Sequence, residues 1–376
     1  MPAPKTLNRR VFLGRSAGLF GGAVLLGGTP LLAACGGDDA DGTGDASDGT
    51  SPPTEPPGST AAPTSAPAAL TTVRQKFNWI EDIEWAAWYL ADHNGWFAEN
   101  GVELGFLYSG EGAPAAAQVL AAGDAELAIS ADELEIIRAN QAGEDFIMLG
   151  AMYQRSPSGL CWLADTDIQS AADLVGKRIG GHQGDQVRIE TAFKVNGLDI
   201  DYEFIPMSFD PQPLVDGEMD VITCYVTNQP IQLELRGIPT GSASYSDFGV
   251  KSHGDVIFGP RSWIEENRDA AVRYLAALIR GVDANVTDPA AVIPILLENY
   301  ANDTELDEAY LGPGNEAYIS LIDSPFTEAN GRISVDPEFL ATEVWSSYET
   351  AGETDLPAVE DFFDPSIVAD AHALLG

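Results

Sequence analysis

The sequence is short of positive charge. Nineteen lysines and arginines stand against 58 aspartates and glutamates in 376 residues, and the formal net charge is −39. Such a surface repels phosphate backbones and anionic headgroups, which argues against nucleic acid as a partner and against membrane attachment through basic residues. Cysteine is scarce too: Cys35, Cys161 and Cys224 are too few for a disulfide scaffold and show no CxxC spacing for zinc or redox chemistry. The four histidines, His93, His182, His253 and His372, are scattered, with no HExxH arrangement. No GxSxG frame and no pairing of carboxylates is evident, so an enzyme is not expected, nor a metal or a cofactor. Apolar residues are plentiful: 45% hydrophobic with 9% aromatic, at a length that supports about two domains with real cores.

The first 70 residues read as an address and a tether. Basic residues Lys5, Arg9, Arg10 and Arg15 precede a Gly-rich apolar run, 19–32, broken by Gly21, Gly22, Gly27, Gly28 and Pro30. Residues 1–34 form an export signal rather than a permanent membrane span. Asn8-Arg9-Arg10-Val11-Phe12-Leu13 resembles the twin-arginine export motif, and Leu32-Ala33-Ala34-Cys35 resembles the lipobox of bacterial lipoproteins. That resemblance implies acylation of Cys35, and two or more acyl chains give the membrane anchorage that the acidic surface cannot. Residues 35–70 carry Gly, Asp, Ser, Thr, Pro and Ala with almost no large apolar side chain, so they cannot bury enough surface to offset ordering entropy and read as a disordered tether.

From residue 71 short apolar runs alternate with helical stretches. Strands are expected at 73–79, 102–108, 126–129 and 146–153, with helices at 84–94, 114–122 and 132–141 between them. A second unit begins near residue 160, with a loop at 181–185, a helix to Asn196-Gly197 and strands at 202–206 and 220–225; helices follow at 261–279 and 289–299. Strands alternating with helices of this length imply an α/β protein with parallel sheets covered on both faces.

Four stretches, in order, resemble a known family: the solute-binding proteins of ABC importers, in the branch that binds sulfonates, nitrate and thiamine pyrimidines. They are Phe77-Asn78-Trp79 with Asn94-Gly95-Trp96-Phe97 to Leu104; Ala121-Ala122-Gly123-Asp124 to Ile129; Leu174-Val175-Gly176-Lys177-Arg178-Ile179-Gly180; and Val215-Asp216-Gly217 through Asn228-Gln229-Pro230 to Arg236-Gly237. The resemblance implies a two-lobed, type II periplasmic-binding-protein-like fold, with parallel-rich mixed sheets flanked by helices. It divides the body into lobe I (71–160), lobe II (161–255) and a helical return to lobe I with a C-terminal tail (256–376). It implies a monomeric receptor on the extracytoplasmic face, partnered by an ABC permease and ATPase, that takes a small aromatic nitrogen heterocycle such as a thiamine pyrimidine precursor. Riboflavin, a sulfonate or nitrate are the alternative ligands. Asn78 and Gln229 replace an Asp and a Glu of the pyrimidine-binding subgroup, and Trp85 stands where that subgroup often has His. A pyrimidine-precursor synthase on the same fold uses a CCCFC iron motif; the comparable Val256-Ile257-Phe258-Gly259-Pro260 has no cysteine.

In such a fold the ligand sits where loops at the C-terminal ends of the strands face each other. An aromatic pair such as Trp79 with Trp85 or Tyr153 can stack a flat ring, while Asn78, Asp132, Asp185 and Asn228 can fix ring N–H or amine groups, and Tyr225 flanks the last loop. Core packing is the competing role for Trp79 and Trp85, and a helix N-cap for Asp185. Arg155 and Arg188 are the basic residues near these loops, and either would favour an anion instead. Cys161 and Cys224 are expected as buried free thiols, with a disulfide as the alternative.

Overall fold

The computed structural model describes residues 70–110, 112–301 and 306–376. The export signal, Cys35 and the tether up to residue 69 lie outside the described residues. The described residues belong to one compact unit. Its first sheet uses the apolar runs foreseen above, β1 (Thr71–Lys76), β2 (Val102–Leu107), β3 (Leu127–Ser130) and β4 (Phe146–Tyr153). A second sheet follows, built from β5 (Ser158–Leu163), β6 (Arg178–Gly181), β7 (Glu203–Pro206), β8 (Val221–Tyr225) and β9 (Thr240–Ser244). The chain then re-enters the first sheet as β10 (Gly254–Pro260). The strand orders are β2-β1-β3-β10-β4 and β7-β6-β8-β5-β9.

The sheets are mixed rather than wholly parallel. β1 runs parallel to β2 and β3, and β6 to β7 and β8, but β10 is antiparallel to β3 and β4, and β5 to β8 and β9. The chain crosses between the sheets twice, after β4 and after β9, and the strands that make the crossings must run against their neighbours. The two crossings lie side by side, joined by Ser156 N–H to the Ser252 carbonyl at 3.2 Å and Tyr245 N–H to the Ser158 carbonyl at 3.0 Å. Paired linkers of this kind form a hinge. Segment 256–260, read from sequence as the start of a helical return, belongs to strand β10, between β3 and β4 and buried up to Gly259; its run of Val256, Ile257 and Phe258, all 0% exposed, carries the strand signal.

Burial follows the strand period of two. Along β5, Leu160 and Trp162 join one apolar cluster of the second lobe with Ile179, Phe193 and Val221, while Cys161 joins another on the opposite face with Ile222, Cys224 and Leu233. Cys161 and Cys224 are both buried free thiols. The first lobe holds the large core, where Trp85, Trp88, Phe97 and Tyr274 are buried. The Trp88 indole N–H donates to the Tyr274 hydroxyl at 2.7 Å, which donates to Gln75 Oε1 at 2.6 Å, so no polar atom of this relay is stranded. The helix Arg268–Thr287 lies on the helix Ala86–His93, and Gly281 lets them meet, since a Cβ there would run into the Ala87 carbonyl. Gly281→Val is therefore expected to destabilise the protein by about 2 kcal/mol or more through overpacking, read as a lower urea midpoint with unchanged slope.

Candidate functional site

A cavity of about 270 Å³ opens between the sheets, at the C-terminal ends of β1, β3, β6, β7 and β8. Of the residues singled out from sequence, Asn78, Trp79, Asp185, Tyr225 and Asn228 line it. Three others stand behind or beside the wall. Trp85 is 0% exposed, packed 4.7 Å from Phe77 and 5.8 Å from Trp88 between ring centroids, with its indole N–H given to the Ile80 carbonyl at 2.9 Å. The core role therefore takes this side chain. Tyr153 is buried and stacks at 5.4 Å on Tyr318, which does line the cavity. Asp132 is engaged by Arg188, with the guanidinium at 2.6 Å and 2.7 Å from its Oδ2. Glu84, Phe209 and Tyr318 also line the cavity and were not singled out from sequence. Tyr318 comes from the tail helix Glu308–Ile319 and Phe209 from the loop after β7, and neither sits in a local pattern that marks a site.

Several contacts join the two lobes around the cavity. Arg188, in the helix Gln186–Val195 of the second lobe, pairs with Asp132 of the first, and Asp185 stands 3.5 Å from the same guanidinium. Burial works against the Arg188 charge, but Asp132 and Asp185 more than offset it and hold the side chain ionised. The Asn228 amide donates to Asp82 Oδ2 at 3.2 Å and accepts from Gln232 at 2.7 Å. Trp79 meets Phe209 edge to face at 4.0 Å between ring centroids, and the His182 ring lies tilted 3.9 Å from Phe209. The Tyr310 hydroxyl donates to the Thr227 carbonyl at 3.2 Å. Beside the hinge, buried Glu133 pairs with His253 Nδ1 at 2.6 Å and accepts from the Tyr348 hydroxyl at 2.9 Å. Asp185 also accepts from the His182 N–H at 3.0 Å and the Thr223 hydroxyl at 2.8 Å, so it orders the loop after β6 as well as facing the cavity.

Several buried polar atoms at the cavity have no partner. Asn78 Oδ1, Glu84 Oε1, His182 Nε2 and the Tyr318 hydroxyl are buried polar atoms that no protein group reaches with hydrogen-bonding geometry, and all four belong to lining residues. Behind Glu84 lies Asp255, 0% exposed, with both carboxylate oxygens unpartnered. Burial pushes Asp255 up to about 7 and Asp82 up to about 6. Burial, with the neighbouring charge of Asp255, raises Glu84 well above the ordinary carboxylate range. Cys224 also faces the cavity, and burial keeps its thiol protonated and a poor nucleophile.

Two sheets joined by a double hinge, with a ligand-sized cavity between them, define the class of two-lobed periplasmic-binding-protein folds. The chain belongs to the NMT1/THI5-like family, whose model matches residues 82–292. Over 237 residues it is 24% identical to a formylaminopyrimidine-binding protein of Halalkalibacterium halodurans, covering 61% of this chain and 71% of that one. It is 26% identical over 237 residues to the riboflavin-binding protein RibY of Chloroflexus aurantiacus, covering 61% of this chain and 66% of that one. Among solved structures, the alkanesulfonate-binding protein SsuA of Xanthomonas axonopodis pv. citri, bound to MOPS, superposes with a TM-score of 0.59 at 15% identity over 79% of this chain and all of that one. The desulfurization enzyme DSZB shares the fold at a TM-score of 0.52 and 14% identity, covering 81% of this chain and 100% of that one. The named relatives are thus binding proteins, and the fold also carries an enzyme.

Proposed function

We propose that the protein is the receptor of an ABC importer, anchored outside the membrane by acylated Cys35, and that it captures a small aromatic nitrogen heterocycle by closing its lobes. The observation that carries this reading is the cavity itself, where aromatic faces at Trp79, Tyr225 and Tyr318 surround unpartnered polar atoms of Asn78, Glu84 and His182. A flat ring satisfies the first by stacking, and its N–H groups satisfy the second. Names among the relatives, a formylaminopyrimidine and riboflavin, are both heterocycles of this kind. A sulfonate or nitrate suits the cavity less well, because Arg188, the guanidinium that lines it, is committed to Asp132 and Asp185, and Arg155 is exposed outside it. Turnover through Cys224 is disfavoured by its protonated thiol.

Useful capture needs micromolar affinity or better, about −8 kcal/mol. A thermal-shift screen of the purified protein tests the reading, with thiamine, hydroxymethyl- and formylamino-pyrimidines, riboflavin, taurine, alkanesulfonates and nitrate. A heterocycle is expected to raise the melting temperature at one-to-one stoichiometry and to be recovered unchanged. Trp79→Ala is expected to weaken its binding at least tenfold by isothermal calorimetry, the loss of about 1.4 kcal/mol or more of ring contact. Stabilisation by sulfonate or nitrate alone would show that the acceptor-rich floor does not choose the ligand.

A further inference from the structure

Glu84 has no cation beside it in the fold that surrounds it. Its side chain is 4% exposed and lines the cavity, and Oε1 has no donor. The elements packed around it bring carboxyls, phenols and an amide: Asp82 on its own segment, Asn78 after β1, Tyr153 on β4, Tyr225 on β8, Asp255 on β10, and Tyr310 and Tyr318 on the tail helix. None is a cation. Asp255 sits at φ +46°, in the left-handed region that a non-glycine residue adopts at a cost, and that backbone places its carboxyl beside Glu84. Of the charged side chains lining the cavity, Glu84, Glu135 and Asp185 are acids, and Arg188 is already spent on Asp132 and Asp185. Two buried carboxyls side by side, with phenols and an amide around them but no cation, cannot both ionise at modest cost; one proton between them is the most stable arrangement of the empty site.

We propose that Glu84 and Asp255 are the counter-ion of the ligand, Glu84 in direct contact and Asp255 as the positioning residue behind it, and that the site selects a compound whose nitrogen is bound as a cation. The inference rests on the reading of this cavity as the ligand site and adds the charge of what it takes. A permanent cation displaces the shared proton, which leaves to solvent. A neutral basic heterocycle takes that proton onto its ring nitrogen from Glu84, leaving the carboxylate as acceptor of the new N–H, with no net proton exchanged. Neutral non-basic rings and anions leave the pair as it was and gain nothing from it. Burial that favours the protonated form of both acids in the empty site agrees with this exchange.

Calorimetric titration of the purified protein between pH 5.5 and 8.5, in buffers of different ionisation enthalpy, tests it with four probes: thiamine as a permanent cation, 4-amino-5-hydroxymethyl-2-methylpyrimidine as a basic ring, riboflavin as a neutral ring and ethanesulfonate as an anion without an amine. A cationic or basic probe is expected to bind best. Thiamine should release close to one proton, and its affinity should rise up to tenfold per pH unit until the pair is ionised. Glu84→Gln is expected to bind that probe at least tenfold more weakly and to abolish its pH slope; Asp255→Asn should move the slope while leaving a measurable affinity. Without ligand, Glu84→Gln should melt no lower than wild type above pH 7, because it removes a repelling buried charge. A Glu84→Gln variant that melts lower and binds as wild type would make Glu84 structural and overturn the inference. Riboflavin or ethanesulfonate binding best, undiminished in Glu84→Gln, overturns it as well while the receptor reading stands. Failure of every probe on wild type overturns both.

Discussion

Replacing Arg188 with alanine is expected to destabilise the protein by about 3 kcal/mol or more, the cost of stranding a buried carboxylate. Asp132 is 2% exposed, and its Oδ2 accepts two guanidinium nitrogens of Arg188, at 2.6 Å and 2.7 Å. Its other oxygen accepts from Leu134 N–H at 3.0 Å. Without Arg188 the second oxygen has no donor, and the lobes lose the one ion pair that ties the loop after β3 to the helix after β6. Equilibrium urea unfolding measures the loss. The double variant Asp132→Asn, Arg188→Ala should recover much of it, since the stranded charge is gone and the cycle isolates the pair. As a contrast, Arg268→Ala should change stability by less than about 1 kcal/mol, because its pair with Asp370 is exposed on both sides. A loss at Arg188 no larger than at Arg268 would show that water reaches the inter-lobe pair. Ligand affinity should fall with Arg188 as well, because Asp185 and the loop it orders lose their partner.

Acidification from pH 8 to pH 5 is expected to stabilise the ligand-free protein by several kcal/mol. Asp82 rises from 3.8 to about 6, and Asp255 from 3.8 to about 7. Between those limits the folded state binds more protons than the unfolded one. Stability from these groups is therefore fully present below about pH 4 and is lost as pH rises through 6 and 7. A shift of about two units corresponds to about 3 kcal/mol for Asp82, and one of about three units to about 4 kcal/mol for Asp255, as orders of magnitude. The opposite trend sets in at lower pH, where carboxylates held down by a partner, such as Asp220 against Arg178, become protonated and lose it. The optimum should fall near pH 5. Melting temperatures across pH 4 to 8 check the sign, and Asp82→Asn with Asp255→Asn should flatten the profile. Asparagine at 82 can still accept from Ile83 N–H, now at 2.6 Å from Asp82, so the helix entry survives the change. Stability that rises with pH over this range would mean that a counter-cation already occupies the floor.

How far the site was legible depended on distance along the chain. Asn78 and Trp79 follow on β1, Tyr225 ends β8 with Asn228 just beyond it, and Asp185 falls in the loop after β6; the C-terminal end of a strand is where an α/β fold presents ligand contacts. Trp85 and Trp88 sit one helical turn apart on an apolar stretch with no local mark of which faces outward; both went to the core. Asp132 looked free because its partner lies 56 positions away. Nothing close to Glu84 in the sequence marks it, since Asp255 reaches it only when the chain returns from the second lobe.

The sequence by itself determined the first four strands and the helices between them, the α/β class and the family, because periodicity, turn glycines and short motifs depend on residues close in the chain. It also determined the acidic balance that argues against nucleic acid as a partner. Only the tertiary structure decided which direction β5 and β10 run, which aromatics wall the cavity, that the Arg188 charge is paired, and that Glu84 and Asp255 meet with no cation beside them. Each of these depends on groups far apart in sequence meeting in a water-poor interior, where an unmet charge or hydrogen bond costs most.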